Sequence, residues 1–312
     1  MKFWLGVTDN KWFDFLSRQE LDEVNFWQPS AKPLFKEAPV GMPFLFKLKR
    51  PYNHIGGGGF FVAYSTLPLS LAWEIFGIKN GANSLDELKA LIKPLSSSKV
   101  GDPDIGCTVL SNPFFLEKQH WLENPPGWAG NIVRGKMYES QSEDGSLIWQ
   151  KMSPYFSAPI NNIDSDQNYI SNEIHEKLPK FGEPVLVKPR LGQSSFRMTV
   201  TDAYNRRCAM TGENTLVVLE AAHIIPYAKE GTHSVKNGLL LRSDFHKLFD
   251  VGLISVTPEY KIRISPRIKE TWFNGKVYYR LDNQPLTVMP EKINLRPDPD
   301  YLQWHYKNVF QA

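Results

Sequence analysis

The sequence is poor in cysteine, with only Cys107 and Cys208 among 312 residues. Neither has a second cysteine at metal-ligand spacing, which excludes a structural zinc ribbon and a disulfide-dense framework. Two buried free thiols are expected instead. Long apolar runs are also missing. No stretch approaches the roughly 20 residues that a spanning helix needs, so no membrane partner is expected. The first ten residues, MKFWLGVTDN, lack the apolar segment of a secretory signal. A cytoplasmic protein is the expectation. There is little excess of either charge: 36 basic against 33 acidic residues leave a net +3. A surface for nucleic acid would therefore have to be a local patch. The glycine run Gly56–Gly59 is not followed by Gly-Lys-Ser/Thr, which argues for a bulge or close backbone approach and against a phosphate cradle. No helicase or ATPase motif, internal repeat or low-complexity tract is found. What remains is an ordinary globular composition, 42% apolar and 22% charged, in a length that suggests two domains. Aromatics are plentiful at 13%, and they serve either as core or as stacking platforms for bases.

The most informative stretch is 216–252. Its apolar run Leu216–Leu219 predicts a buried strand, with His223 shortly after it and Pro226 ending regular pairing. Leu239–Leu241 predicts a second strand. Ser243 then reads as a helix N-cap with Asp244 in the first turn, Phe245, Leu248 and Phe249 as the apolar face, and Gly252 as the stop. The order is strand, loop, strand, helix. Its polar exceptions are His223, Asn237, His246 and Asp250. Asn237 lies fourteen residues after His223 and His246 nine after Asn237, while His246 and Asp250 share a helix face.

That order and spacing resemble the HNH nucleases, whose ββα unit binds a metal and hydrolyses phosphodiesters. Cys208-Ala-Met-Thr211-Gly212 and Glu220-Ala-Ala-His223-Ile-Ile-Pro226 resemble the restriction-type branch of that family. A phosphodiester is anionic and repels hydroxide. Its hydrolysis needs a base that works near neutral pH, for which imidazole is suited, and a cation at the leaving oxygen. The resemblance implies His223 as general base, Asn237 as the residue holding the loop that orients it, and His246 as a ligand of Mg2+, Mn2+ or another divalent ion. Many family members carry an Asp or His just before the base; here that position is Ala222. Asp250, Glu220 (same pleat parity as Ala222), water or phosphate would complete the coordination. Arg190, Arg197, Arg206, Arg207 and Arg242 are candidates for gripping DNA phosphates.

The first half alternates short strands and helices. Lys2–Thr8 predicts a strand, and Thr8 or Asp9 caps a helix carrying Trp12, Phe13 and Leu16. Phe44, Phe46 and Leu48 alternate with Leu45, Lys47 and Lys49, the period of a half-buried strand. Ser84-Leu-Asp-Glu87 has the form of a capping box. Ile132-Val133 and Leu147–Trp149 are expected to close the sheet. The first strand with its aromatic helix, Asn25-Phe-Trp27-Gln28-Pro29, Pro43-Phe-Leu-Phe-Lys-Leu48 and Gly58-Gly-Phe60-Phe61 resemble an EVE domain of the PUA superfamily, related to the YTH readers. The resemblance implies an aromatic-walled pocket that takes a flipped nucleotide and reads its modification. Asn10 and Asn25 are the candidate edge hydrogen bonders and Trp27 a wall, with Trp12, Phe60 and Phe61 as further aromatics.

The expected fold is α+β: a PUA-like mixed α/β barrel over 1–155, a linker over 156–192 and an HNH ββα-metal domain over 193–312. Ser194 or Ser195 caps a helix at the start of the last. The expected function is a modification-dependent DNA endonuclease acting on double-stranded DNA with a 5-modified cytosine. It would work as a homodimer, because cutting both strands needs two sites or sequential nicks. A reader whose nuclease unit is degenerate, binding modified DNA or RNA without cutting, is the alternative. His305, beside Trp304, reads as a packing residue.

Overall fold

A computed structural model describes residues 1–34, 38–95, 100–125, 128–156, 192–229, 231–272 and 275–312. The interior of the expected linker and Arg190 lie outside the described residues. The strands are β1 Lys2–Thr8, β2 Glu23–Gln28, β3 Pro43–Leu48, β4 His54–Pro68, β5 Asp104–Phe115, β6 Leu122–Glu123, β7 Gly135–Glu139, β8 Leu219–His223, β9 Gly238–Arg242, β10 Ile254–Val256 and β11 Ile262–Ile264. The helices are α1 Asn10–Leu16, α2 Leu69–Phe76, α3 Leu85–Ile92, α4 Glu143–Phe156, α5 Gln193–Ala203, α6 Ser243–Asp250, α7 Arg267–Trp272, α8 Lys276–Tyr279 and α9 Pro299–Asn308. This is an α+β protein with one large N-terminal sheet, ordered β2-β5-β4-β3-β1-β7 with β6 on β4, and two two-stranded sheets, β8-β9 and β10-β11.

The chain divides into two compact units, one of Met1–Asp22, Leu34–Val62 and the described residues from Leu110 to 156. Its centre is β1, parallel to β3 and antiparallel to β7. The aromatic helix after β1 is capped by Asp9, whose carboxylate accepts the backbone N–H groups of Lys11 and Trp12. β3 departs from the half-buried expectation: every residue in it is buried, Lys47 included. Lys47 keeps its ammonium by donating to Asn53 Oδ1 at 2.6 Å and lying over the Trp128 ring, while burial pulls its pKa down. The glycine run lies inside β4, not ahead of it. The β3–β4 register slips by one residue between Phe46 and Lys47, and a Cβ on Gly57 would stand 2.2 Å from the Phe114 carbonyl oxygen. The glycines thus serve a bulge and a close backbone approach. Leu147–Trp149 do not close the sheet. They lie in α4, whose Ile148, Met152 and Phe156 pack on Phe3, Leu5, Leu45 and Phe60. Ile132 and Val133 form no strand, and Val133 is exposed.

The second unit comprises Glu23–Pro33, Ala63–Val109 and the described residues from 192 to 312. Its hydrophobic core gathers Phe196 and Val200 of α5, Leu239–Leu241 of β9, Phe245 and Phe249 of α6, Ile254, Ile262 and Leu302. The structure corrects three expectations here. Leu216–Val218 is a 3-10 turn with Val217 exposed, and the strand begins at Leu219. Ser243 is the first residue of α6 and makes no cap; Arg242 stands at the N-cap without a side-chain bond. Neither Ser194 nor Ser195 caps α5. Their backbone N–H groups donate to Glu23 Oε1 and Oε2 of β2, at 2.8 and 3.2 Å. Glu23 is fully buried and also pairs with Lys79 at 3.0 Å. A carboxylate at a helix N-terminus satisfies orphan N–H groups and opposes the helix dipole.

Removing one partner of a buried, hydrogen-bonded charge strands the other. Glu23→Ala is expected to lower the unfolding free energy by about 3 kcal/mol, measured by urea denaturation of the full chain. A change below the error of that titration would show that the α5 N-terminus is satisfied without Glu23.

Candidate active site

Antiparallel β8 and β9 pair Glu220 with Leu241, Ala222 with Leu239 and His223 with Gly238. α6 follows β9 directly and packs across both strands. Gly238 is required by that layer: a Cβ there would lie 2.5 Å from Val200 Cγ2 of α5. The loop between the strands is closed by Asn237, whose side chain is fully buried. Its Oδ1 accepts the Ile225 N–H, and its Nδ2 donates to the Ile225 and Thr232 carbonyls, each at 2.9 Å. Its own carbonyl accepts the Ile224 N–H. One amide therefore ties both flanks of the loop to the start of β9.

His223 and His246 line one pocket of about 420 Å³, together with Asp250, Arg197, Lys229, Tyr227 and others. Ala221 lines it too, whereas Ala222 is buried in the hydrophobic core. An acid at 222 would thus have pointed into apolar packing. His223 lies flat on Phe196, with ring centroids 3.9 Å apart and planes 12° apart. Burial, then the charges of His233 and His246, push its pKa down to about 4, so the ring is neutral at physiological pH. That is the state a general base needs.

His246 sits between two carboxylates. Its Nδ1 is 2.6 Å from Glu220 Oε2, and because a carboxylate only accepts, Nδ1 carries the proton. In the neutral ring Nε2 then keeps its lone pair, and it faces Asp250 Oδ2 at 3.4 Å. Burial and the Glu220 charge raise the Asp250 pKa, while His246 opposes them. Nitrogen and carboxylate oxygen held so could both touch one divalent cation, and the carboxylate behind Nδ1 is the arrangement that fixes a metal-binding histidine. Among the described residues no group of three His, Cys, Asp or Glu converges to hold a metal alone.

The four described candidate phosphate-binding arginines have protein acceptors. Arg242 forks onto Asp244 at 2.6 and 2.7 Å. Arg206 donates to the Thr66 carbonyl and faces Asp202, Arg207 donates to the Gly212 carbonyl, and Arg197 bonds Glu74. Of these, Arg197 lines the pocket, and Lys229 joins it there, over the Trp304 ring.

The candidate base-reading residues separate into groups. Asn25 Nδ2 donates to Asn80 Oδ1 and Trp27 Nε1 to the Asn80 carbonyl, both at 2.9 Å. Asn80, which no sequence signal marked, is thus the shared anchor of that pair. Asn10 instead donates to the carbonyls of Lys49 and Arg50. Trp12, Phe60 and Phe61 are buried core residues, which removes them as pocket walls; Trp12 meets Phe46 edge-on and Phe60 meets Phe156. His305 is structural. It stacks on Phe249, its Nε2 donates to the Phe249 carbonyl, and its Nδ1 accepts from Ser255 Oγ. The residue the sequence reading missed at the centre is His233. Its Nδ1 is 3.0 Å from His223 Nε2, and Tyr227 stacks on its ring. The available signal was a third histidine inside the inter-strand loop.

With that geometry in view, the comparisons fall into place. Residues 208–257 match the HNH endonuclease family, so this ββα unit is an HNH endonuclease domain. No curated protein matches the chain. Among solved structures, a point mutant of ASCH from Zymomonas mobilis aligns at TM-score 0.31 and 9% identity, covering 47% of this chain and 96% of its own. The ASCH protein itself aligns at 0.26 and 10%, covering 36% and 75%. The modification-dependent TagI restriction endonuclease aligns at 0.30 and 14%, covering 98% of this chain and 82% of its own. These scores are too low to carry an argument. Among the described residues no helix is long and apolar enough to cross a membrane.

Burial holds the His305 pKa at about 4 against the Phe249 bond, and that of His223 at about 4. Both lie below the unfolded value near 6.5, so the unfolded chain binds these protons first. Stability is full above about pH 6.5 and falls as pH drops toward 4. Each group contributes up to about 1.4 kcal/mol per pH unit. Urea denaturation of metal-free protein at pH 6 and pH 5 should differ by about 2 kcal/mol, and His305→Asn should roughly halve that difference. Asn237→Ala, which removes three side-chain-to-backbone hydrogen bonds worth about 1 kcal/mol each, should cost about 3 kcal/mol in the same assay at pH 7.

Proposed function

We propose that the chain is a modification-dependent DNA endonuclease: a reader domain over 1–155, a linker over 156–192 and a nuclease domain over 193–312. The observation that carries the nuclease reading is a neutral His223 and a carboxylate-oriented His246 lining one pocket within a segment that matches the HNH endonucleases. His223 takes the proton of the attacking water. Asn237 holds the loop that fixes His223. His246 Nε2 and Asp250 Oδ2 would hold a divalent cation, Mg2+ or Mn2+. When bound, that cation supplies charge neutralisation at the phosphate and the leaving oxygen. Glu220 acts one step back by accepting the His246 Nδ1 proton, a role different from the direct ligand expected from sequence. Arg197 and Lys229 offer positive charge at the pocket for the DNA backbone. Arg206, Arg207 and Arg242 reach phosphate only by leaving Asp202, Gly212 and Asp244.

For the reader, Trp27 is the base-stacking wall for a flipped 5-modified cytosine, with Asn25 of the same strand held beside it through Asn80. What supports Trp27 is that its ring is partly exposed while its indole N–H is anchored on Asn80. Flipping costs a few kcal/mol, and stacking on an aromatic face returns about 1–3 kcal/mol. Severing a duplex takes two nuclease centres or sequential nicks, and a homodimer would supply the two centres.

Matched plasmids, unmodified and cytosine-modified, incubated with Mg2+ or Mn2+, test the reading. Cleavage of the modified plasmid alone is expected. His223→Ala should reduce cleavage to background and leave DNA binding within twofold. Equal cutting of both plasmids would remove the reader assignment, and binding of modified DNA without cleavage in either metal would establish the non-cutting alternative.

A further inference from the structure

We propose that His233 is a positioning residue for the hydrolysis, fixing His223 in the tautomer whose Nδ1, and not Nε2, is the base. This rests on the nuclease reading above. A neutral imidazole has one N–H and one lone pair, and nothing in the ring alone decides which nitrogen holds which. Its neighbours decide. His223 Nε2 lies 3.0 Å from His233 Nδ1, so one hydrogen bond joins the two rings and one of these two atoms donates it. If Nε2 of His223 donates, its Nδ1 is left basic. If it accepts, the Nε2 lone pair is taken up by the His233 N–H and Nδ1 carries the ring's own proton, so no free lone pair is left for water. Only the first arrangement leaves a base.

The surroundings hold that bond in place from three sides. Phe196 fixes the plane of His223 by face stacking at 3.9 Å. Tyr227 fixes the plane of His233 by stacking at 4.6 Å and 12°. Asn237 ties down the Thr232 carbonyl, one residue before His233. Among the described residues the pocket wall takes in His223 and Tyr227 but not His233. His233, outside that lining, therefore holds the Nε2 edge of His223, as an orienting group does. In the reaction the water proton goes to His223 Nδ1 while Nε2 keeps its own proton, and the resulting imidazolium is stabilised by the acceptor behind it.

Two variants separate this role from packing. His233→Phe keeps a ring on Tyr227 and removes the acceptor. His233→Asn places an amide oxygen where Nδ1 was. With full-chain protein labelled with 15N-histidine and free of metal, two-bond 1H–15N correlation reports each tautomer, and His223→Ala assigns the His223 signals. The wild type should show His223 with a pyrrole-type Nε2 and a pyridine-type Nδ1. His233→Phe should shift that population roughly fivefold to tenfold, the scale of one lost hydrogen bond, and His233→Asn should restore it. In plasmid cleavage, His233→Phe should lower kcat about tenfold with KM for DNA within twofold, and His233→Asn should recover most of the loss. A wild-type His223 protonated on Nδ1, or an even mixture, overturns the inference. So does a His233→Phe enzyme that cuts like the wild type. Should the wild type cut no DNA, the nuclease reading fails and the tautomer spectrum alone decides the positioning claim. Should His233→Phe not fold, the wild-type and His233→Asn spectra decide it.

Discussion

The geometry around His223 depends on the buried amide of Asn237. A loop connecting two short strands has many conformations, and its backbone groups prefer water unless something inside the protein replaces it. Asn237 supplies one acceptor and two donors from a single side chain, and all three go to that loop's backbone. The result is a rigid turn on a side that secondary structure does not reach. His223 at the end of β8 and His233 in the loop then meet at one fixed distance. Without this tie, the stacking of Phe196 on His223 would orient a ring whose far edge had no fixed partner.

A second layer concerns how His246 is held. It receives a carboxylate on each ring nitrogen, one from the strand and one from its own helix. Glu220 fixes the tautomer and Asp250 faces the lone pair, so the ring is oriented before anything binds. His223 is kept neutral by burial and neighbouring positive charge, while His246 has a carboxylate facing each ring nitrogen.

Much of this was readable in the residues, and the exceptions have physical causes. The ββα order and the helix face shared by His246 and Asp250 follow from local periodicity and turn chemistry, which act over a few residues, while the loop-holding role of Asn237 came from the family resemblance. The start of β8 was misplaced because Leu216–Val218 is apolar yet turns as a 3-10 segment with Val217 in solvent. Trp12 and Phe60 could not be told from pocket walls, because an aromatic ring suits either site and only packing distinguishes them. β3 reads as half-buried because a lysine normally marks a wet face; Asn53 and Trp128 make its burial tolerable. His233, Asn80 and Glu23 were invisible for a different reason. Each acts on a partner that pattern does not predict, ten residues away for His233 and 171 for Glu23.

The Glu23 carboxylate has a consequence for how such a protein can be dissected or inherited. Helix α5 carries Phe196, which stacks on the His223 ring, yet the first turn of that helix is finished by a side chain from β2, in the same strand as Asn25 and Trp27. A cut placed before residue 192 would look clean on a map of the chain. It would nevertheless sever α5 from the group that completes its first turn. The segment from 192 onward is therefore not a self-contained cassette, and any exchange of the front part would have to bring an anion to the same spot.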